Sequence, residues 1–134
     1  MKKIVFDSFA LIAFFRKEPG YTIIRDLLVR IANNESEGFI SSVNVGEIYY
    51  TMCRKGNASL AEAAISSLKR FPLYFIDADF KLCLEAAVLK SKYSFSYADA
   101  FAATLAINKK ATLITGDREF DTLLKEPNFK VKYL

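Results

Sequence analysis

Short apolar runs alternate with segments of helical periodicity along the whole chain, and this alternation constrains the fold more than any other feature. The first four runs are mostly apolar throughout, as expected for strands that helices cover on both faces. The last run alternates apolar residues with lysines, which predicts an edge strand. The pattern therefore predicts an α/β fold around a mostly parallel sheet of about five strands. The predicted strands are residues 3–6, 38–41, 73–76, 111–115 and 129–133. The predicted helices are residues 8–15, 21–33, 43–55, 59–69, 79–92, 97–108 and 118–124.

A chain of 134 residues lies in the usual range for one domain, and residues 1–134 are predicted to form a single unit. Cys53 and Cys83 lack the close spacing of zinc sites or redox pairs, so both are predicted to be small apolar residues inside helices. The longest apolar run, Phe9–Phe15, is too short to span a bilayer. We therefore expect a cytoplasmic protein with no membrane partner.

Four acidic residues stand just past the ends of apolar runs, and they are Asp7, Glu47, Asp99 and Asp117. Because ligands bind outside the carboxyl ends of parallel strands, these carboxylates are predicted to gather there. The chain contains no histidine, and clustered carboxylates suit hard divalent cations such as Mg²⁺, whose preferred ligands are oxygens. A bound cation would offset their mutual repulsion and activate water for phosphodiester hydrolysis. The acids therefore predict a metal-dependent phosphodiesterase, in which the role of each acid stays open.

Each of these acids also has a structural explanation. Asp7 and Asp117 precede predicted helices and have the position of N-caps, while residues 44–47 and 96–99 both have the spacing of a capping box. The cap explanation serves for any one acid taken singly. Taken together, the acids favour a common site, because a helix elsewhere, near residues 57–59, begins without an acid beside a strand end.

Other polar residues nearby are candidates for supporting roles. Ser8 and Thr115 are the hydroxyls predicted to orient phosphate or bound water, although hydrogen bonding to the backbone is an equal alternative. Asp121 lies four residues beyond Asp117, one helical turn later, and is predicted to extend the acidic site as an outer ligand. Asp79 follows the third apolar run but precedes a helix, so capping is its predicted role.

The charge balance favours a polyanionic substrate. The chain carries 19 basic and 15 acidic residues, a net charge of +4. With the four clustered acids set aside, 19 basic residues stand against 11 acidic ones. A positive exterior around a metal-neutralised pocket suits nucleic acid, although an ordinary solvated surface explains any single Lys or Arg equally well.

Two helices have unusually apolar faces. The second carries a stripe that predicts burial against the sheet, formed by Ile23, Ile24, Leu27, Leu28 and Ile31. The first is apolar on nearly all sides, through Phe9, Leu11, Ile12, Phe14 and Phe15. Such a helix suggests a second apolar neighbour beyond the sheet, either another protomer or a bound peptide.

The sequence resembles the PIN domain family, and within it the short proteins that include VapC-type toxins. The resemblance covers essentially the whole chain and rests on Ile4–Ser8, Glu47 at the start of a helix, Tyr97–Ala106 and Leu113–Phe120. The last two blocks are quite specific, whereas an apolar run followed by Asp-Ser is a weak signal alone. One departure is Gly46, where a bulkier apolar residue is expected.

The resemblance implies a three-layer α/β/α sandwich and a ribonuclease that depends on Mg²⁺ or Mn²⁺. It assigns the catalytic and metal-binding roles to Asp7, Glu47, Asp99 and Asp117, with Thr115 or Ser8 in support. It also implies an RNA substrate, a homodimer and, for the toxin branch, an antitoxin whose tail lies over the cleft and blocks it.

Two alternatives remain at the level of sequence. A receiver-like phosphoacceptor domain also has a parallel sheet and an acidic Mg²⁺ pocket, and Asp77 has the position of its nucleophile. However, Asp7 is followed by Ser8 rather than by a second acid, and no Lys stands after the last strand in the required place. The other alternative is a non-catalytic interaction module that has kept the fold, which the presence of all four acids argues against.

Overall fold

The computed structural model describes residues 1–134 and has five parallel strands in one sheet, in the order β3-β2-β1-β4-β5. The strands are β1 Lys2–Phe6, β2 Ser36–Ser41, β3 Tyr74–Ile76, β4 Thr112–Thr115 and β5 Lys130–Tyr133. The helices are α1 Ser8–Phe15, α2 Tyr21–Ala32, α3 Ser42–Lys55, α4 Ala58–Lys69, α5 Phe80–Lys92 and α6 Tyr97–Lys109, followed by a 3₁₀ helix at Arg118–Leu123. The predicted parallel sheet and its edge strand β5 are confirmed.

Helices cover both faces of the sheet, so the predicted three-layer sandwich is confirmed. Along β1, Ile4 and Phe6 belong to a core formed with α1 to α4, whereas Val5 belongs to a second core formed with α5 and α6. This division follows from the alternation of side chains along a strand. None of the helices has both the length and the apolar character needed to cross a bilayer.

The strand order excludes the receiver-like alternative. Receiver domains have the order 2-1-3-4-5, in which the first and third strands are neighbours. Here β3 is an edge strand and β2 separates it from β1. Asp77, the residue after β3, instead accepts a hydrogen bond from the Ser42 hydroxyl at 3.1 Å.

The apolar first helix is largely covered within its own chain. It packs against α2 and α3, and Leu11 is fully buried, while Ile12, Phe14 and Phe15 are partly buried. Only Phe9 is largely exposed on this helix, so most of its apolar surface needs no second neighbour. The predicted burial of the α2 stripe is confirmed for four of its five residues, and Ile23 is partly buried.

Three local predictions are corrected. The α3 helix begins at Ser42 with Ser41 as its N-cap, so Asn44 lies inside the helix and residues 44–47 are not a capping box. The segment after Asp117 is a 3₁₀ helix rather than an α-helix. Gly46 is exposed, and a Cβ added there would meet no atom within 4 Å, so the fold requires no bulky residue at this position.

Candidate active site

The carboxyl ends of the two central strands supply the first acids. β1 ends directly before Asp7, and β4 ends at Thr115, two residues before Asp117. Because β1 and β4 are paired neighbours, these positions meet at one edge of the sheet. Glu47 comes from the second turn of α3 and Asp99 from the first turn of α6.

Asp7 is almost completely buried, with 1% of its surface exposed. Its carboxylate accepts hydrogen bonds from the Ala10 backbone N–H at 2.9 Å and from the Thr115 hydroxyl at 2.5 Å. Burial raises the pKa of Asp7 to about 7, although both hydrogen bonds favour the ionised form. The negative charges of Asp99 and Asp117 raise this pKa further, which shows that all three carboxylates share one electrostatic environment.

Thr115 links two of the acids. Its fully buried hydroxyl donates to Asp7 and accepts a hydrogen bond from the Asp117 backbone N–H at 3.0 Å. A serine or valine could not present the same combination of fixed rotamer and hydroxyl, because Thr is both β-branched and polar. Thr115, which is predicted to support the site, therefore makes hydrogen bonds to two of its acids, Asp7 and Asp117.

Three carboxylates lie together at the surface of the site. One oxygen each from Asp99, Asp117 and Glu119 lies within 4.8 Å of the others. Burial raises the pKa of Asp99 to about 6, against a hydrogen bond with Ser96, and the charges of the neighbouring acids raise it further. Those neighbours are Asp117, Glu47 and Glu119.

Glu47, on α3, lines the same cleft. The Ser8 hydroxyl donates a hydrogen bond to its Oε1, and the Tyr50 hydroxyl donates to its Oε2 at 3.4 Å. Glu47 and Ser8 line a cleft of about 320 Å³ together with the three clustered acids. Asp7 does not line this cleft, but its charge is coupled to those of Asp99 and Asp117.

The carboxylates of the acidic group form no ion pairs. The four ion pairs of the protein involve other acids, and no Lys or Arg pairs with Asp7, Glu47, Asp99 or Asp117. Uncompensated carboxylates this close together are costly unless a cation or protons neutralise them. A set of carboxylate oxygens without histidine or thiolate fits a hard divalent cation such as Mg²⁺ or Mn²⁺.

Comparison with known families identifies the family of this chain. A family model described as PIN domain matches residues 4–125. The chain belongs to the PIN domain family. No sequence among the curated proteins matches it.

Solved structures support the same fold for this PIN domain. VapBC2 from Rickettsia felis, bound to a DNA fragment of its promoter, is 20% identical, with a TM-score of 0.74 over 98% of both chains. DNA-bound VapBC from Salmonella typhimurium is 16% identical, with a TM-score of 0.73 over 99% of this chain and 98% of the other. VapC20 from Mycobacterium tuberculosis, a sarcin-ricin loop cleaving toxin, is 14% identical, with a TM-score of 0.72 over 88% of this chain and 92% of the other.

The structure places Asp121 away from the acidic cluster of the PIN domain. Its carboxylate accepts a hydrogen bond from the Tyr133 hydroxyl at 2.5 Å and lies 3.9 Å from the Arg118 guanidinium. The prediction that Asp121 extends the site assumed an α-helix, whereas a 3₁₀ helix has about three residues per turn. Glu119, two residues after Asp117, reaches the cluster instead.

Asn44 is a further polar residue that the site brings into view. It is fully buried in α3, one turn before Glu47, and its side-chain amide donates to the Ala98 carbonyl at 3.2 Å. This bond ties α3 to the first turn of α6, directly beside Asp99. The sequence signal was a polar residue within the apolar Val43-Asn44-Val45 run, which the cap interpretation hid.

Proposed function

We propose that this PIN domain is an endoribonuclease that depends on Mg²⁺ or Mn²⁺ and hydrolyses RNA phosphodiester bonds. The observation that carries the proposal is the group of carboxylates at the carboxyl ends of β1 and β4, with which no Lys or Arg forms an ion pair. Such a group fits a divalent cation, and nuclease chemistry needs no protein nucleophile when that cation is present.

The acids divide into two sets by position. Asp99, Asp117 and Glu119 are close enough to hold one cation from the α6 and 3₁₀ side of the cleft. Glu47 comes from α3, and Asp7 adds a buried carboxylate whose charge is coupled to this group. When bound, the cation acts as a Lewis acid, which lowers the pKa of a bound water and offsets negative charge on the phosphate.

Hydroxyl groups fix these carboxylates before substrate arrives. Ser8 holds one oxygen of Glu47, and Thr115 holds one oxygen of Asp7. A hydrogen bond to one oxygen of a carboxylate restricts its rotation, so that the other oxygen keeps one orientation toward a bound cation. Ser8 and Thr115 are therefore proposed as positioning residues.

The test is cleavage of a labelled single-stranded RNA by the purified protein with Mg²⁺, Mn²⁺ or EDTA, beside Asp99→Asn prepared identically. We expect cleavage with either cation, and none above background with EDTA or with Asp99→Asn. Isothermal titration with Mn²⁺ should show binding by the wild type that the variant loses. Equal cleavage by both proteins, or cleavage in EDTA, would contradict the assignment. Mn²⁺ binding without any cleavage across a pool of cellular RNA would favour the non-catalytic interaction module.

A toxin of a toxin-antitoxin pair is the proposed biological role. Support comes from the VapBC complexes, which match this chain over nearly its whole length. The acidic cleft opens beside the exposed Phe9, which gives an antitoxin segment both charge and apolar surface to contact. The wild type should cause growth arrest when expressed, whereas Asp99→Asn should cause none. If a small gene lies beside this one, its co-expression should relieve the arrest.

The outer face of α5 supports a homodimer. Phe80, Leu84 and Val88 follow one another at intervals of four residues and are 81%, 54% and 55% exposed, while the opposite face is buried. A soluble helix that is apolar on both faces is expected to have a partner. In an antiparallel pair of α5 helices around a two-fold axis, Leu84 meets Leu84 of the second copy and Phe80 meets Val88, so the face is self-complementary.

Leu84→Glu is therefore expected to convert the dimer to a monomer, because two negatively charged glutamates would meet at the two-fold axis. The helical content should not change. Sedimentation velocity at several concentrations measures the mass. The matched control is Leu60→Glu, which changes an equally exposed leucine on α4 and should leave the dimer intact. A monomeric wild type, or a Leu84→Glu dimer, would contradict the proposed face.

A further inference from the structure

Phe9 is an apolar side chain placed where two cavities meet. It lies in the first turn of α1, two residues after Asp7, and 47% of its surface is exposed. It lines the acidic cleft and also a second cavity of about 390 Å³, and Ile12 and Thr51 are shared by both. The two cavities are therefore adjacent, with Phe9 at their common border.

The Phe9 ring packs against the backbone beside Asp117. A Cβ added at Gly116 would overlap the ring, so glycine at this position lets the ring rest against the backbone. The ring thus lies next to the acidic cluster while about half of the side chain stays open to solvent. A ring that already packs against backbone on one side loses less conformational entropy when a flat ligand stacks on it than a fully exposed ring would.

The second cavity differs in chemistry from the acidic cleft. Its walls include Phe9, Ile12 and Pro19 together with one acid, Glu18, whereas the acids of the cluster are absent from it. Lys55, at the end of α3, contributes a positive charge at its border. Its volume falls within the range of roughly 300–1,000 Å³ that is typical of small-ligand sites.

We infer that this second cavity, the Phe9 pocket, binds an unpaired nucleobase of the RNA chain whose scissile phosphate lies in the acidic cleft. The inference rests on the proposed ribonuclease function. Because the two cavities are adjacent and share Phe9, Ile12 and Thr51, neighbouring nucleotides of one chain can occupy both. Aromatic rings that bind single-stranded nucleic acid stack on bases, and Lys55 provides a cation for an adjacent phosphate. A base inside a duplex cannot enter such a pocket, so the inferred substrate is single-stranded at the cleavage site.

The test uses two variants of Phe9 that separate stacking from bulk. Phe9→Tyr keeps the ring, whereas Phe9→Leu keeps an apolar side chain without a ring. We expect Phe9→Leu to raise KM for a short single-stranded RNA by about tenfold, in line with the measured value of base stacking, and Phe9→Tyr to stay within about twofold. Phe75→Leu, on the exposed edge strand β3, is the matched control and should behave as the wild type.

Abasic RNA then identifies the contact. Once the cleaved bond is mapped, an abasic nucleotide is placed in turn at each of the two positions on either side. One position should raise the wild-type KM about tenfold but leave the KM of Phe9→Leu unchanged, because that variant has already lost the stacking contact. Additive effects at all four positions would overturn the inference.

The outcomes distinguish this inference from the proposed function itself. Metal-dependent cleavage with an unchanged KM for Phe9→Leu would leave the nuclease assignment standing and overturn the Phe9 pocket. The same kinetics with weakened capture of a co-expressed antitoxin by Phe9→Leu would assign the pocket to a protein segment and also overturn the inference. Loss of Mn²⁺ binding by Phe9→Leu would show that the ring acts on the metal site and would contradict a separate base pocket.

Discussion

Substituting Asp7 with asparagine is expected to reduce RNA cleavage by at least about 100-fold, since even outer-shell partners of a metal site cost 10- to 100-fold. The same variant is expected to unfold at a higher temperature in EDTA at pH 8. The buried carboxylate is costly to ionise without a cation, and burial accordingly raises the pKa of Asp7 to about 7. Asparagine removes that charge but keeps an oxygen that accepts from the Ala10 N–H. Cleavage assays and thermal unfolding by circular dichroism measure both effects.

Asp79 provides the matched control for this experiment. It caps α5 as Asp7 caps α1, accepting from the Leu82 N–H at 2.8 Å, but it is exposed and lies outside the acidic cleft. Asp79→Asn should therefore retain activity, and its stability should stay within about 0.5 kcal/mol of the wild type, because asparagine is an equally good cap. If Asp7→Asn retained activity and melted several degrees lower, Asp7 would be a helix cap alone.

The sheet could be predicted because its signal is local. Each strand is a short apolar run between helical segments, and the lysines of β5 mark it as an edge. The start of α3 could not be placed from the pattern, because Ser41 and Asn44 are both good cap residues and the choice depends on the end of β2. The 3₁₀ helix after Asp117 was also beyond the sequence, since tertiary packing of Phe120 and Leu123 sets its geometry.

The acidic site could be predicted only in part for a related reason. The fold brings Asp7, Glu47, Asp99 and Asp117 to one region, as the strand ends suggested. Glu119 was missed and Asp121 was included because a spacing of four residues was interpreted as one α-helical turn. The pattern of an element is therefore insufficient when the type of helix decides which side chain faces the site.

Capping and function are not competing explanations in this protein. Asp7 and Asp117 both cap the helices that follow them, and Ser96 caps α6 through the Asp99 N–H. Each cap fixes the backbone next to a carboxylate of the cluster, so the hydrogen bonds that start the helices also determine where the acids stand. An acid that were merely a cap would be expected at the surface, as Asp79 is, whereas Asp7 is buried and its charge is coupled to those of Asp99 and Asp117.

The pH dependence of stability tests this burial directly. In EDTA, the free energy of unfolding of the wild type should fall relative to that of Asp7→Asn as pH rises from 4 to 8. The ordinary pKa of the Asp7 carboxyl is 3.8, and in the folded protein burial raises it to about 7. Between these values the native state holds a proton that the unfolded state has released. The stability that this proton contributes is therefore fully present below about pH 4, and it is lost progressively as the pH rises through 7. A difference of about three pKa units corresponds to roughly 4 kcal/mol.

A divalent cation should cancel this loss if the carboxylates form its site. At pH 8, saturating Mg²⁺ should raise the unfolding temperature of the wild type more than that of Asp7→Asn, because binding to the native state alone adds stability. At pH 5, where Asp7 holds its proton in the folded protein, the same addition should have a smaller effect, because the cation must displace that proton. Urea unfolding of both proteins at both pH values, with and without Mg²⁺, gives eight free energies and hence four stabilisations by Mg²⁺. If Mg²⁺ stabilised both proteins equally at both pH values, the cation would bind elsewhere and the buried carboxylate would not be part of its site.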